Sequence, residues 1–348
     1  MKTSHRILFQ SAQNMDKIDD ESIELVVTSP PYPMIEMWDE IFAKQNPSIS
    51  KALQDEDGSL AFQLMNDELN KVWNEVNRVL VPGGIACINI GDATRTIGKK
   101  FQLYPSHALI TKYCNDIGFV SLPEILWRKQ TNAPNKFMGS GMMPPGAYVT
   151  LEHEFILIFR KGNKREFPSE SLKETRRESS YFWEERNTWF SDVWDFKGIT
   201  QRLDDQKTRN RSGAFPFELA YRLINMFSIT GDMILDPFLG TGTSMLAAMV
   251  SCRNSVGIEI DPNLRELIND GLKDVVEFGN GYIKERLKSH DDFINQRTKE
   301  KGATKYVNAN YDFPVVTNQE TLLKLPILEK CNKIKDNTFE IIYKTKNS

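Results

Sequence analysis

Metal-binding and disulfide patterns are missing from this chain of 348 residues. Its four cysteines, Cys87, Cys114, Cys252 and Cys331, stand too far apart to form a CxxC pair. Neither a zinc site nor a disulfide framework is expected, and each cysteine reads as a small core or surface residue. No Ser-His-Asp spacing occurs, so His107 and His153 read as structural. An excess of positive charge is also lacking: the net charge is −3. That excludes a globally basic nucleic-acid binder but not a local basic groove. No run is long and apolar enough to span a bilayer. The start, MKTSHRILFQ, lacks the long apolar core and small-residue cleavage site of a signal peptide. A soluble, cytoplasmic protein is expected, with no membrane partner. There is no internal repeat.

What is present is ordinary globular composition, 40% hydrophobic and 26% charged, enough for one large core or two modest domains. Ile23–Thr28 (IELVVT) reads as a buried strand stopped by Pro30 and Pro31, which cannot donate ladder hydrogen bonds. The polar stretch 43–59 has no clear period and reads as a mobile insertion over a site. Apolar residues at helical spacing predict a helix over 66–81, ended by Pro82-Gly83-Gly84. A strand over 85–90, a helix over 105–117 and strands over 119–127 and 154–159 follow. Between 161 and 211 the pattern breaks into charge and aromatics (Tyr181, Phe182, Trp183, Trp189, Phe190, Trp194, Phe196), read as packing a small domain rather than stacking on bases. A helix to about Phe227, strands over 233–235 and 256–260, a helix over 243–252 between them and a helix opening at Pro262 restore the alternation. A final strand is expected over 339–343. The alternation argues for an open α/β sheet.

Two motifs carry chemistry. The late one is Asp236-Pro237-Phe238-Leu239-Gly240-Thr241-Gly242-Thr243-Ser244, a glycine turn between a strand end and a helix start. Gly240 and Gly242 permit a tight turn close to a ligand. The free N–H groups that Thr243 and Ser244 open favour an anionic group. The loop is neither a GxGxxG fingerprint nor a GxxxxGK[ST] phosphate loop, and Lys is absent where a nucleotide phosphate needs it. A modest carboxylate such as that of S-adenosylmethionine fits better. One strand later, the run from Val256 through Glu259 to Asp261 places an acid where it can accept ribose hydroxyls. A plain strand-to-helix turn with Asp261 as cap is the simpler alternative.

The early motif is Thr28-Ser29-Pro30-Pro31-Tyr32. An exocyclic amine on a base is a poor nucleophile because its lone pair is delocalised into the ring. Two acceptors aimed at its N–H bonds favour the tetrahedral geometry it needs for attack. Ser29 Oγ and the Pro30 carbonyl can supply them, proline stiffness holds them in place, and Tyr32 can stack on the ring. A base inside a duplex must be flipped out to reach such a pocket. Alone, the same residues are also what a strand stopped by two prolines beside a core tyrosine looks like.

These motifs, in this order, resemble the β group of amino-methylating DNA methyltransferases, in which the catalytic motif precedes the recognition region and the cofactor motif follows it. Ala214-Phe215-Pro216-Phe217-Glu218 resembles the segment that helps cover the cofactor. Arg78 to Gly84 and Asn89-Ile90-Gly91-Asp92 resemble catalytic-subdomain signatures. The likeness covers about 7–272. It implies a Rossmann-like S-adenosylmethionine-dependent α/β fold, a mostly parallel twisted sheet with permuted motif order and a smaller target-recognition region. The implied parts are a catalytic half over 1–160, recognition over 161–211, a cofactor half over 212–299 and an extension over 300–348. S-adenosyl-L-methionine is the implied cofactor, double-stranded DNA the implied partner, and a cognate restriction endonuclease an implied companion. Ser29, Pro30, Pro31 and Tyr32 would be catalytic. Asp236, Pro237, Phe238, Gly240, Gly242, Thr243, Ser244, Phe215 and Pro216 would hold the cofactor, with Glu259 on the ribose.

Serine at the head of the catalytic motif is typical of N4-cytosine members, whereas aspartate is commoner in N6-adenine members. N4-cytosine methylation is therefore expected, with N6-adenine as the alternative. Methylation of RNA or of a protein amide fits less well, because such enzymes usually place the glycine loop first. A non-catalytic DNA-binding module is disfavoured by two intact motifs. For phosphate contact the candidates are Arg128, Lys129 and Lys136, beside the Gly- and Pro-rich stretch 139–146, and a second cluster of Arg202, Lys207, Arg209 and Arg211. The first set is equally readable as a solvated surface loop, and the second, partly offset by Asp204 and Asp205, reads rather as a solvated face.

Overall fold

The structure, a computed structural model, describes residues 1–129, 138–197 and 215–344. In chain order its strands are β1 (Lys2–Phe9), β2 (Ile23–Thr28), β3 (Leu80–Ile90), β4 (Ala93–Ile97), β5 (Lys100–Tyr104), β6 (Phe119–Arg128), β7 (Met138–Gly139) and β8 (Ala147–Tyr148). They continue with β9 (His153–Lys161), β10 (Val193–Asp195), β11 (Met233–Asp236), β12 (Asn254–Glu259), β13 (Tyr306–Val307), β14 (Pro314–Val315), β15 (Leu328–Lys335) and β16 (Thr338–Tyr343). Ten of them form one sheet in the order β10-β6-β9-β3-β2-β11-β12-β1-β16-β15. The run β3-β2-β11-β12-β1 is wholly parallel. Strand β9 lies antiparallel between β3 and β6, and β16 pairs antiparallel with β1. The α/β class is as the alternation predicts, and the mostly parallel sheet is as the resemblance implies.

Burial on both faces explains the near-continuous apolar strands. On β2, Val26 faces a core with helix Gly58–Val79, while Leu25 and Val27 face one with helices Phe217–Phe227 and Thr243–Val250. The crossover leaving β2 thus covers one face and the helix leaving β11 the other. Between the carboxyl ends of these neighbouring strands a crevice must open.

Stretch 43–59 departs from expectation. It is folded into the end of helix Asp39–Gln45, helix Pro47–Gln54 and the start of Gly58–Val79. Asn46 and Asp57 cap the last two by accepting from Ser48 N and Leu60 N, and Phe42, Ile49 and Ala52 are buried. Short amphipathic turns of this length give too few periods to read.

The described aromatics of 181–196 pack against the main core. Phe182, Trp189 and Trp194 share the core of helix Phe217–Phe227, because β10 extends the main sheet beside β6. Arg165 pairs with Asp232 at 2.6 Å and Glu184 with His290 at 2.7 Å, tying the segment to the turn before β11 and to the long helix Val275–Lys301. The tail closes the other edge through β15 and β16.

His5 on β1 is fully buried, bonded to Thr3 Oγ1 and Ser255 Oγ at 2.8 Å each. With no carboxylate partner, burial pushes its pKa down to about 3. The unfolded chain therefore binds the extra proton between about pH 6.5 and 3, and the stability present above 6.5 is lost as pH falls through that window. A loss of roughly 1–2 kcal/mol from this residue is expected by pH 5. Thermal unfolding at pH 7 and pH 5 checks it. His5→Gln should flatten the decline, and an unchanged decline would assign the acid sensitivity elsewhere.

Candidate active site

Strand β2 ends where the prolines remove its N–H groups, and β11 ends beside it, paired through Leu25 with Ile234 and Val26 with Leu235. This register brings Thr28 and Asp236 together. Thr28 Oγ1 donates to Asp236 Oδ1 at 2.6 Å. Phe238 N donates to the same oxygen at 3.0 Å, and Ser244 Oγ donates to Oδ2. Asp236 is buried, which raises its pKa, while these three donors oppose the rise. The sequence reading gave Asp236 and Ser244 to the cofactor. Asp236 does border the cavity described below, but its carboxylate is committed to fastening the two strand tips. Ser244 is spent on that tie, buried and away from the cavity.

A cavity of about 830 Å³ opens at these tips, within the range that holds a small ligand or cofactor. Ser29, Pro30, Pro31 and Tyr32 line it from the end of β2. Pro237, Phe238, Gly240 and Thr243 line it from the end of β11, with Phe215. Gln10 to Gln13, after β1, and Glu259 to Leu264, at the end of β12, line it too, as do Trp38, Ile41 and Phe42. The stretch 43–59 thus does border the site, through Lys44 and Gln45. Gly242 and Pro216 do not reach the cavity. Gly242, at φ 88°, is the N-cap of helix Thr243–Val250, in a left-handed conformation that favours glycine. Pro216 begins helix Phe217–Phe227.

Glu259 accepts from Gly240 N and from Asp261 N, both at 2.8 Å, so the carboxylate is held rigidly with a lone pair left on each oxygen. Burial raises its pKa and the two backbone donors lower it. Asp261 is the cap of the simpler reading, accepting from Asn263 N at 3.0 Å.

Tyr32 does more than offer a ring face. Its hydroxyl donates to Glu154 Oε2 at 2.8 Å and accepts from Asn89 Nδ2 at 2.8 Å and from Ser29 Oγ at 3.2 Å. Asn89 Nδ2 also reaches Glu154 Oε2 at 2.7 Å. Lys129 Nζ donates to Glu154 Oε1 at 3.1 Å. Burial and the Glu154 charge push the Tyr32 phenol well above its usual range, so it is held protonated. Its ring lies over Gly91, where a Cβ would come within 2.8 Å of Cε2.

Glu154 was missed. It is the second residue of β9, and in a parallel strand that position would lie at the end remote from the site. Because β9 runs antiparallel, its start lies among the other strands' carboxyl ends. Among the DNA-contact candidates, Lys129 lines the cavity. Arg128 is engaged with Glu152 at 3.3 Å and Asp195 at 3.7 Å. Lys136, Arg202, Lys207, Arg209 and Arg211 lie outside the described residues.

The family model of the N6/N4 methyltransferases, described as DNA methylase, matches residues 23–270. The chain belongs to this family. The Type II methyltransferase M.MthZI of Methanothermobacter thermautotrophicus is 53% identical over 349 residues, covering 100% of this chain and 97% of that protein. M.MjaI of Methanocaldococcus jannaschii is 52% identical over 282 residues, 78% of this chain and 91% of the other. Among solved structures, the DNA modification methylase TTHA0409 of Thermus thermophilus in complex with S-adenosyl-L-methionine is 31% identical, with TM-score 0.61, covering 78% of this chain and 94% of that one. This is a β-group amino DNA methyltransferase of restriction–modification type, and S-adenosyl-L-methionine is its cofactor.

The methyltransferase's own residues fit that cofactor. Gly240, left-handed at φ 54°, lines the cavity just before helix Thr243–Val250, and Glu259 presents fixed acceptors there. When bound, the cofactor supplies an electrophilic methyl group. No helix among the described residues is long and apolar enough to cross a membrane.

Proposed function

We propose that this methyltransferase modifies the exocyclic N4 amine of a cytosine flipped out of duplex DNA, protecting its site against a cognate restriction endonuclease. The observation that carries the reading is the Thr28–Asp236 tie, which joins the Ser-Pro-Pro-Tyr segment and the glycine loop in the lining of one cavity. The direction of hydrogen bonding supports serine chemistry. Ser29 gives its proton to Tyr32 at 3.2 Å and accepts only a long contact from Asn89 Nδ2 at 3.5 Å, which leaves it a lone pair for an amine N–H. The Pro30 carbonyl supplies the second acceptor, and Tyr32 flanks the base. Glu259 and the turn from Pro237 to Thr243 hold the cofactor. Sequence recognition is assigned to 161–211, which supplies the edge strand β10 beside Arg128.

Incubation of the protein with labelled S-adenosylmethionine and DNA, followed by nucleoside analysis, tests the base. N4-methylcytosine is expected. N6-methyladenine alone would replace cytosine by adenine, and no labelled nucleoside would remove DNA as substrate. Methylome sequencing of expressing cells then gives the recognition site.

A further inference from the structure

The Ser29–Tyr32–Glu154 chain has a single possible direction. A carboxylate only accepts, so Glu154 Oε2 must take the Tyr32 proton. Asn89 Nδ2 only donates: it bonds Tyr32 and Glu154 at 2.8 and 2.7 Å and reaches Ser29 Oγ only at 3.5 Å, so the Tyr32 oxygen can still accept from Ser29. The three oxygens are thus aligned donor to acceptor, from the residue proposed to touch the amine to a charged carboxylate 122 residues away from Tyr32. Lys129 completes the arrangement at the outer oxygen. Asn89 is itself 1% exposed and fixed on β3. A tyrosine whose only task was to stack would not need its hydroxyl clamped by three partners.

We infer that this chain is the exit for the amine's surplus proton, with Glu154 as its terminal acceptor; the inference rests on the amine-methylating reading above. As the amine nitrogen bonds the methyl carbon, the S–C bond breaks and its electron pair stays on sulfur. The nitrogen, now bearing one proton too many, loses it to Ser29 Oγ. The Ser29 proton passes to the Tyr32 oxygen, and the Tyr32 proton passes to Glu154 Oε2. Three O–H bonds form while one N–H and two O–H bonds break, and Glu154 ends neutral beside Lys129. The proton then leaves to solvent through the cavity that Glu154 and Lys129 line, restoring the starting state. The groups facing Glu154 are Tyr32 from the turn after β2, Asn89 from β3 and Lys129 from the end of β6. Lys129 places its positive charge 3.1 Å from Glu154 Oε1, on the side away from Tyr32.

The test uses the full chain, S-adenosylmethionine and a duplex carrying the site found by methylome sequencing. Single-turnover methylation is measured across pH 5–9 for the parent, Tyr32→Phe and Glu154→Gln. Tyr32→Phe keeps the ring and removes only the relay oxygen. Both variants should slow transfer roughly 10²-fold. Cofactor and DNA dissociation constants should stay within about threefold, and the acid-side fall in rate seen in the parent should be absent from Glu154→Gln. In the cofactor-free protein, the 13C carboxyl signal that disappears in Glu154→Gln should move in Tyr32→Phe.

Rates within threefold of the parent with an unchanged pH profile would overturn the relay. So would a loss in Tyr32→Phe matched by equal loss of DNA binding, or a Glu154 signal indifferent to Tyr32. If Glu154→Gln does not fold, Tyr32→Phe decides alone. A parent that methylates no DNA would refute the functional reading instead, and that outcome is visible before any variant is made.

Discussion

Asp236→Ala should destroy methyl transfer and cost about 2–4 kcal/mol of folding stability together. The carboxylate holds Thr28 on β2, and Ser244 and Phe238 N on the glycine turn. Removing it leaves two buried hydroxyls and one backbone N–H without a partner. Each orphaned group costs about 1–3 kcal/mol, reduced where a hydroxyl can rotate to another acceptor. The strand tips then lose the link that sets the distance between the amine-binding wall and the cofactor wall. A misplacement of about 1 Å between reacting groups is enough for a hundredfold loss of rate.

Asp236→Asn separates shape from charge. Its amide oxygen at the Oδ1 position keeps two donors, Thr28 Oγ1 and Phe238 N, and a rotated Ser244 hydroxyl can accept from its NH2, so the stability loss should be under half that of alanine. Denaturant unfolding and calorimetric titration with S-adenosylmethionine check both. An Asp236→Ala protein as stable as the parent, with only cofactor affinity reduced, would return Asp236 to the role of direct ligand that the sequence suggested.

Sequence reading and structure diverge at that residue for a physical reason. The pattern Asp-Pro-Phe followed by a glycine turn marks a strand end and a ligand loop, and both are there. Which way the carboxylate faces depends on Thr28, more than two hundred residues away, and on the β2–β11 register. Strand identity was legible wherever apolar runs were bounded by Pro or Gly: β2 has the span IELVVT predicts, and β16 lies within one residue of expectation. Strand β1 was not legible. KTSHRILF mixes His5 and Thr3 into the buried positions, where they satisfy one another. The helix Val275–Lys301 was also passed over, since its buried positions include Arg286 and His290, apolar in neither type nor period. Each is buried only because Glu185 or Glu184 meets it from a distant segment. Glu154 was hidden in the same way, by strand direction. Residue type and spacing reveal local structure and short motifs, whereas a site assembled from β2, β3, β9 and β11 needs the strand order.

Ser29→Ala should lower single-turnover methylation roughly 10³-fold, a loss near the upper end for one acceptor at a developing charge. Two functions converge on this oxygen in the proposed reaction. It accepts an N–H of the amine, which favours the geometry for attack, and it is the first station of the proton exit toward Glu154. Alanine removes both while leaving Tyr32 bonded to Asn89 and Glu154. The fold should therefore stand, and cofactor binding at the glycine loop should change less than twofold. The convergence has a further consequence. With its entry gone, the relay has nothing to carry, so adding Tyr32→Phe to Ser29→Ala should cost little beyond the single substitution, although Tyr32→Phe alone costs roughly 10²-fold. Fully additive losses would mean that serine and tyrosine act on separate steps. A Ser29→Ala protein that methylates at the parent rate would remove the serine from the chemistry, and with it the reason for choosing cytosine.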